Sequence, residues 1–411
     1  MRERSSGRPA GAAFRYPNFR YFMTARFLTI LSSEMQAVAV AWQVYALTHR
    51  ALDLGLVGLA QFLPGILLFL VSGHTADRVA RQRILQACYG AFSLCSVLLL
   101  WLAVRGPASV YPIYLVLLLN GTVRAFNQPA SHALLPLLVP EDNFPNAVAW
   151  SASILQAAAI LGPMAGGVLY GLTGSPVPVY AGAAGGCLTA LVLVSALRVP
   201  KQERRPVGTS LGRVLEGLRY IRENKLILGA ISLDMFAVLL GGAVALLPVY
   251  ARDILKVGAS GLGLLRSAPG VGAVLTAVIV ARWPLERRVG VKMLCCVFGF
   301  GVFTVVFGLS HSLALSLAAL ALSGACDMVS VIVRQTMVQL DTPDHMRGRV
   351  SAVNGVFISA SNEVGQFESG VTAQWFGAVP AVILGGVGTI VIVLGWAWLF
   401  PDLRRRDELS G

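Results

Sequence analysis

The chain has 411 residues, of which 56% are hydrophobic and only 13% charged, whereas water-soluble domains carry roughly 25% charged residues. That balance excludes a soluble globular enzyme and a disordered chain alike. Its 33 Lys and Arg against 20 Asp and Glu give a net charge of +13, but the basic residues sit in alternate loops, which makes the surplus a topology signal and not a nucleic-acid footprint.

A membrane-crossing helix needs about 20 mostly apolar residues. Twelve such segments follow one another at 21–48, 54–76, 84–104, 110–128, 144–171, 177–197, 226–251, 259–281, 291–311, 313–338, 350–376 and 378–399. The expected fold is an all-α membrane protein of twelve transmembrane helices in two six-helix halves, 21–197 and 226–399. A tail at 1–20, a linker at 198–225 and a tail at 400–411 complete it. The first segment is too long, and lacks the small-residue cleavage site, for a removable signal peptide. In the linker, Leu211, Val214, Leu215, Leu218 and Ile221 recur at helical spacing opposite Arg213, Glu216, Arg219 and Arg222. This predicts a short amphipathic helix lying on the membrane surface.

Of the 33 basic residues, 25 lie in the two tails, the linker, and the loops after spans two, eight and ten. The opposite loops hold only Arg50, Arg105, Arg252 and Lys256. Basic loops stay on the cytoplasmic side, so both termini are expected inside a bacterial-type plasma (inner) membrane. The halves also echo each other: Asp77-Arg78 with Arg83 after span two matches Glu286-Arg287 with Lys292 after span eight. Pro140-Glu141-Asp142 after span four similarly matches Thr342-Pro343-Asp344 after span ten. Duplicated halves with a site between them are a transporter architecture.

Cys88, Cys95, Cys187, Cys295, Cys296 and Cys326 all fall in spans, without metal-site spacing, and read as small apolar residues. No metal, cofactor, phosphate-binding or nucleophile–base pattern is visible, so neither ATP as a direct energy source nor an enzyme is expected.

The stretch Gly73-His74-Thr75-Ala76-Asp77-Arg78-Val79-Ala80-Arg81-Gln82-Arg83 resembles the signature loop of the major facilitator superfamily, usually Gly-x-x-x-Asp-Arg-x-Gly-Arg-Arg. The resemblance implies a cytoplasmic gate in which Asp77 meets the inner end of span eleven and Arg78 and Arg81 help lock it. Ala80 and Gln82 depart from the pattern and move the last basic residue to Arg83. In span five, Gly162-Pro163-Met164-Ala165-Gly166-Gly167 resembles the Gly-Pro-x-x-Gly-Gly element of the superfamily's exporters, where the proline removes a backbone donor and the glycines admit a neighbouring helix. Ala25-Arg26-Phe27, Val38-Ala39-Val40 and Thr342-Pro343 with Arg347-Gly348-Arg349 resemble the branch of enterobactin and macrolide exporters.

An ionisable group in mid-membrane costs on the order of 3 kcal/mol and is functional by default. Counting about 1.5 Å per residue, Glu34 in span one, Asp327 in span ten and Glu363 in span eleven all lie roughly 20 Å from the inner surface. They are the candidates for proton coupling or substrate contact, since a carboxyl held away from water exchanges protons near neutral pH. Glu368 and Arg334 are candidates of the same kind, read equally as parts of a structural charge network. Glu363 and Glu368 diverge by roughly 140° around their helix and cannot face one point. Arg124 in span four is a partner for an anionic substrate or for the gate, while Asp234 and Arg266 differ in depth and are left open. The expectation is a monomeric secondary transporter that exports a small organic molecule, siderophore or drug-like, in exchange for protons. Alternatives are an importer, a broad-range drug extruder, or a non-transporting scaffold or sensor.

Overall fold

The computed structural model describes residues 11–106, 109–199, 211–285 and 287–408. Every long element among them is a helix. Span one is Pro17–Thr48, with Pro17 at its first turn where a missing N–H costs nothing. Span two is two pieces, Ala51–Leu67 and Phe69–Arg78, broken at Leu68 just after Pro64, where the proline ring disrupts the helical ladder. Spans three to six are Arg81–Arg105, Tyr111–Leu134, Phe144–Thr173 and Val177–Ser195. The linker helix Leu211–Glu223 follows. Span seven begins as Lys225–Gly241, capped by Asn224 accepting from the Leu226 and Ile227 amides. It continues through a short tightened turn and a wide turn at Tyr250–Ile254. Spans eight to twelve are Gly258–Arg282, Val289–Leu309, Leu313–Leu340, Asp344–Phe376 and Ala378–Leu399. Eight of the described helical stretches are long and apolar enough to cross a membrane on length and composition alone. The others, such as spans one and eleven, are diluted by the polar residues described below.

The linker helix forms where periodicity placed it, but it docks on protein. Gly217 abuts the Arg349 backbone, within 2.9 Å of where its Cβ would stand, and Ile221 is buried in a cluster with Ile227, Val338, Val350 and Val353. Arg349 also donates to the Glu216 carboxylate at 2.5 Å. Leu215 and Leu218 stay exposed. The amphipathic face is therefore divided between the part packed on the first turns of span eleven and the part left exposed. The first-half counterpart of this neighbourhood, the signature loop, is tied within its own half. Arg81 donates to the Ala133 carbonyl at 3.0 Å, and Gln82 donates to the Val194 and Leu197 carbonyls. Gln82, out of pattern in sequence, thus closes the C-terminal turn of span six. The side chain of Asp77, and the whole of Glu286, lie outside the described residues.

The halves meet unequally on the two sides of the bundle. Away from the linker, Val38, Tyr45 and Leu54 of the first half share one apolar core with Tyr250, Leu265, Phe307 and Ala373 of the second. On the linker side each half keeps its own core. Phe19, Phe22, Leu85, Tyr89 and Leu134 form one; Leu233, Met293, Val297 and Met337 form another. Since close packing across the interface is what holds such halves together in a membrane, they are sealed on the far side and parted on the linker side.

Candidate functional site

Two helix crossings make the far-side seal, and small residues make both crossings possible. Span two meets span eleven where a Cβ on Gly370 would stand 2.9 Å from the Gly55 Cα and one on Gly55 3.1 Å from the Phe367 backbone. Span five meets span eight where a Cβ on Gly167 would stand 2.6 Å from the Ala259 carbonyl oxygen and one on Gly263 2.5 Å from that of Pro163. The Gly162 and Gly166 positions turn the other way, onto span one, with 2.5 Å to the Glu34 Cβ and 2.7 Å to the Met35 carbonyl oxygen. The exporter-type element is therefore a three-way joint between spans one, five and eight, and it seats Glu34. Beyond the joint, the Tyr45 hydroxyl donates to Asp253 across the halves. Introducing a bulky side chain at the seam by Gly167→Leu should cost about 1–3 kcal/mol and hold the far side ajar. A single cysteine at position 41 should then become reactive from the far side. An unchanged accessibility would remove the seam's assigned role.

Below the seal lies a cavity of about 290 Å³ lined by both halves. The first half supplies Arg26, Glu34, Tyr89, Arg124 and His132, with Gln61, Asn127 and Gln128; the second supplies Arg266, Glu363 and Gln366. Two ion pairs cross the gap. Glu34 of span one faces Arg266 of span eight at 3.7 Å, and Arg124 of span four faces Glu363 of span eleven at 3.9 Å. The arrangement is reciprocal, since each half gives one acid and one base. Gln366 donates to the Glu363 carboxylate at 3.2 Å. Side-chain exposures of 33% for Glu34, 26% for Arg266, 49% for Arg124 and 19% for Glu363 leave both pairs in reach of water. Pairs so long and so wet are weakly bound and exchangeable.

The other intramembrane charges belong to a different kind of site. Arg334 holds Asp234 at 2.7 Å with side-chain exposures of 2% and 6%, and its second contact is with the Asn354 side-chain oxygen at 3.5 Å. Asp327 lies within electrostatic reach of both members. This cluster lies wholly within the second half, among spans seven, ten and eleven, and contributes nothing to the cavity lining. The sequence grouped Asp327 with Glu34 and Glu363 by depth; the structure separates it from them, because span ten supplies none of the lining residues. Glu368 also faces elsewhere and accepts from Thr372 at 2.7 Å. Asp234 and Arg266, considered as partners of each other, take Arg334 and Glu34 instead. Depth along a helix does not say which neighbour lies across.

The family model described as a transmembrane secretion effector matches residues 9–409. The chain belongs to this family of the major facilitator superfamily. Among its relatives, the enterobactin exporter EntS of Shigella boydii serotype 4 is 30% identical over 381 residues, covering 92% of the chain and 86% of the relative. The protein of the same name from Escherichia coli O139:H28 matches to the same extent. The fold matches a bacterial homologue of the human lysosomal transporter Spinster in an inward-facing, occupied conformation, with a TM-score of 0.74 at 14% identity over 97% of the chain and 98% of the other. It also matches the nucleoside transporter NupG, with a TM-score of 0.68 at 13% identity, over 93% and 99% of the two chains. The chain is thus a multi-pass inner-membrane transporter, and its cavity between the halves sits where this fold binds solutes.

Proposed function

We propose that this protein is a proton-coupled exporter, in a state open to the cytoplasm, that moves a small organic molecule by alternating access. Sidedness rests on the basic residues: the linker and both tails carry them, which favours the linker side as cytoplasmic, and the cavity opens on that side. Export is favoured by the similarity to proteins named enterobactin exporters. The observation that carries the coupling is the reciprocal pair of half-crossing ion contacts, Glu34–Arg266 and Arg124–Glu363. When both carboxylates are ionised, the pairs favour approach of the cavity walls. A proton on either carboxyl removes that attraction, and a bound solute competes for the freed arginine. Each half also keeps an acid and a base of its own, so that when the halves part on the far side Glu34 and Arg124 can face each other, as can Arg266 and Glu363. A proton taken up from outside in one state and released inside in the other completes an exchange. The chain works as a monomer, since the cavity is built from its two halves alone.

The test is transport in proteoliposomes with an imposed pH gradient and a panel of siderophore-like and drug-like molecules. Solute movement against its own gradient, opposite to the proton flux, is the expected result; movement in the same direction as protons would make the protein an importer. Sidedness has its own check. Single cysteines at positions 204 and 256, in a cysteine-free background, should label from the cytoplasmic and the outer face respectively. Labelling of position 204 from outside would invert the scheme.

A further inference from the structure

The cavity lining holds three arginines, Arg26, Arg124 and Arg266, but only two carboxylates, Glu34 and Glu363. Each carboxylate already faces one arginine, so Arg26 is the surplus. It is the wrong residue to leave uncompensated: a guanidinium stays charged at any physiological pH, and Arg26 is only 9% exposed. Among the described residues no carboxylate pairs with it. Its one side-chain hydrogen bond goes from a terminal nitrogen to the Ser151 hydroxyl at 2.5 Å, which uses one of five N–H donors. None of its other nitrogens is sealed without a partner among the described residues, and the residue lines the cavity.

The surroundings are built to receive something. The Tyr89 hydroxyl and His132 both lie within electrostatic reach of Arg26, and Ser131, Thr29 and Ser33 line the same wall. Ile30, Phe92 and Leu155 supply apolar surface beside them. Arg26 stands eight residues before Glu34 on span one, about 12 Å nearer the linker side, so this end of the cavity is distinct from the level of the two ion pairs. A buried, fixed cation with fork-shaped donors, next to hydroxyl and imidazole groups and an apolar wall, matches an acidic group carried on an apolar body.

We propose that Arg26, with Tyr89 and His132, forms an anion subsite that takes the acidic group of the exported molecule, making organic anions with an aromatic or apolar body the preferred substrate class. This rests on the exporter reading and adds to it a recognition element separate from the coupling pairs. On binding, the acid group supplies the negative charge that Arg26 lacks, and on release the site returns to being an uncompensated cation. That alternation favours capture from one side and expulsion of a ligand whose acid becomes solvated on the other.

The test is direct binding of naphthoate and of its neutral carboxamide to the purified full-length protein by calorimetry. Naphthoate should bind more tightly by roughly tenfold or more, the difference that a charge-assisted hydrogen bond makes. Arg26→Gln should bring naphthoate down to the level of the amide, while weakening the amide itself far less, since its carbonyl makes only a neutral-acceptor bond to the guanidinium. If Arg26→Gln does not fold, Arg26→Lys answers the same question, because an ammonium cannot make the forked contact and the acid preference should fall several-fold. Equal affinity of the wild type for acid and amide, or a preference undiminished by either substitution, would overturn the subsite. Excess phosphatidylglycerol should leave naphthoate bound; its displacement would assign Arg26 to a lipid headgroup and overturn the proposal. Failure of the exporter reading shows elsewhere, as loss of pH-driven transport with the acid preference intact.

Discussion

Glu363→Gln should reduce pH-driven accumulation to the level set by passive equilibration, while exchange of solute down its own gradient continues. The substitution keeps the size and hydrogen bonding of the side chain, including its contact with Gln366 at 3.2 Å, and removes only the charge that Arg124 faces. A carrier that cannot gain and lose a proton at the step that changes face still binds and releases solute, but no longer draws on the gradient. Glu34→Gln should behave alike through Arg266. The double variant should be no worse than either single one if the two pairs act as one unit, since residues in one network are not additive. The measurement is paired: uphill accumulation and downhill exchange in the same proteoliposomes. Full accumulation in both single variants would dismiss these carboxylates as the coupling groups. Equal loss of both activities together with low protein yield would mark them as structural.

Arg334→Leu should be the most damaging single substitution for stability. It strips the only cation in contact with Asp234 among the described residues, whose side chain is 6% exposed, and leaves Asp327 beside it. Breaking one side of a sealed pair costs about 3–5 kcal/mol, because the remaining charge is stranded. Arg334→Leu combined with Asp234→Asn should recover part of the loss, since the neutral amide has no charge to strand. Thermal unfolding of the purified variants, read from helical signal, gives the ranking. A melting temperature of Arg334→Leu equal to that of the wild type would show that the cluster is not structural. Uphill transport that survives in the double variant would separate this cluster from the coupling pairs in the cavity.

Much of this was legible before any coordinates. Continuous apolar runs marked the long helices, since hydrocarbon imposes length and internal hydrogen bonding on whatever crosses it, although span four runs on to Leu134 and span eleven begins at Asp344. The linker helix at Leu211–Glu223 was visible in its periodicity. What it covers was not visible, because the glycine that lets it lie against Arg349 looks like any other glycine in a helix. Pro64 was in plain view, yet span two read as continuous; the break at Leu68 follows from that proline. Among the charges, depth grouped Glu34, Asp327 and Glu363, whereas the cavity lining holds Glu34 and Glu363 without Asp327, because depth is a coordinate along one helix whereas a site is made by the faces of several. Arg266 was missed as the partner of Glu34 for the same reason. Arg26 was seen as an intramembrane cation within a family-like stretch, but its lack of a carboxylate partner is a fact about its neighbours.

The seam on the far side has a thermodynamic consequence. Where Gly167 meets Ala259 and Gly263, and Gly55 meets Gly370, the surfaces in contact are largely peptide backbone. Backbone already fixed inside a helix loses no rotamer freedom when the seam closes and regains none when it parts. Such a joint adds little conformational entropy to either face of the cycle, so it acts as a nearly neutral pivot. Control of the equilibrium then passes to occupancy: moving a carrier from a ratio of 1:99 to 99:1 takes about 10⁴-fold differential affinity. Protons and solute at the arginine-lined cavity have to supply that difference, working against the apolar core and the Tyr45–Asp253 contact that close the far side.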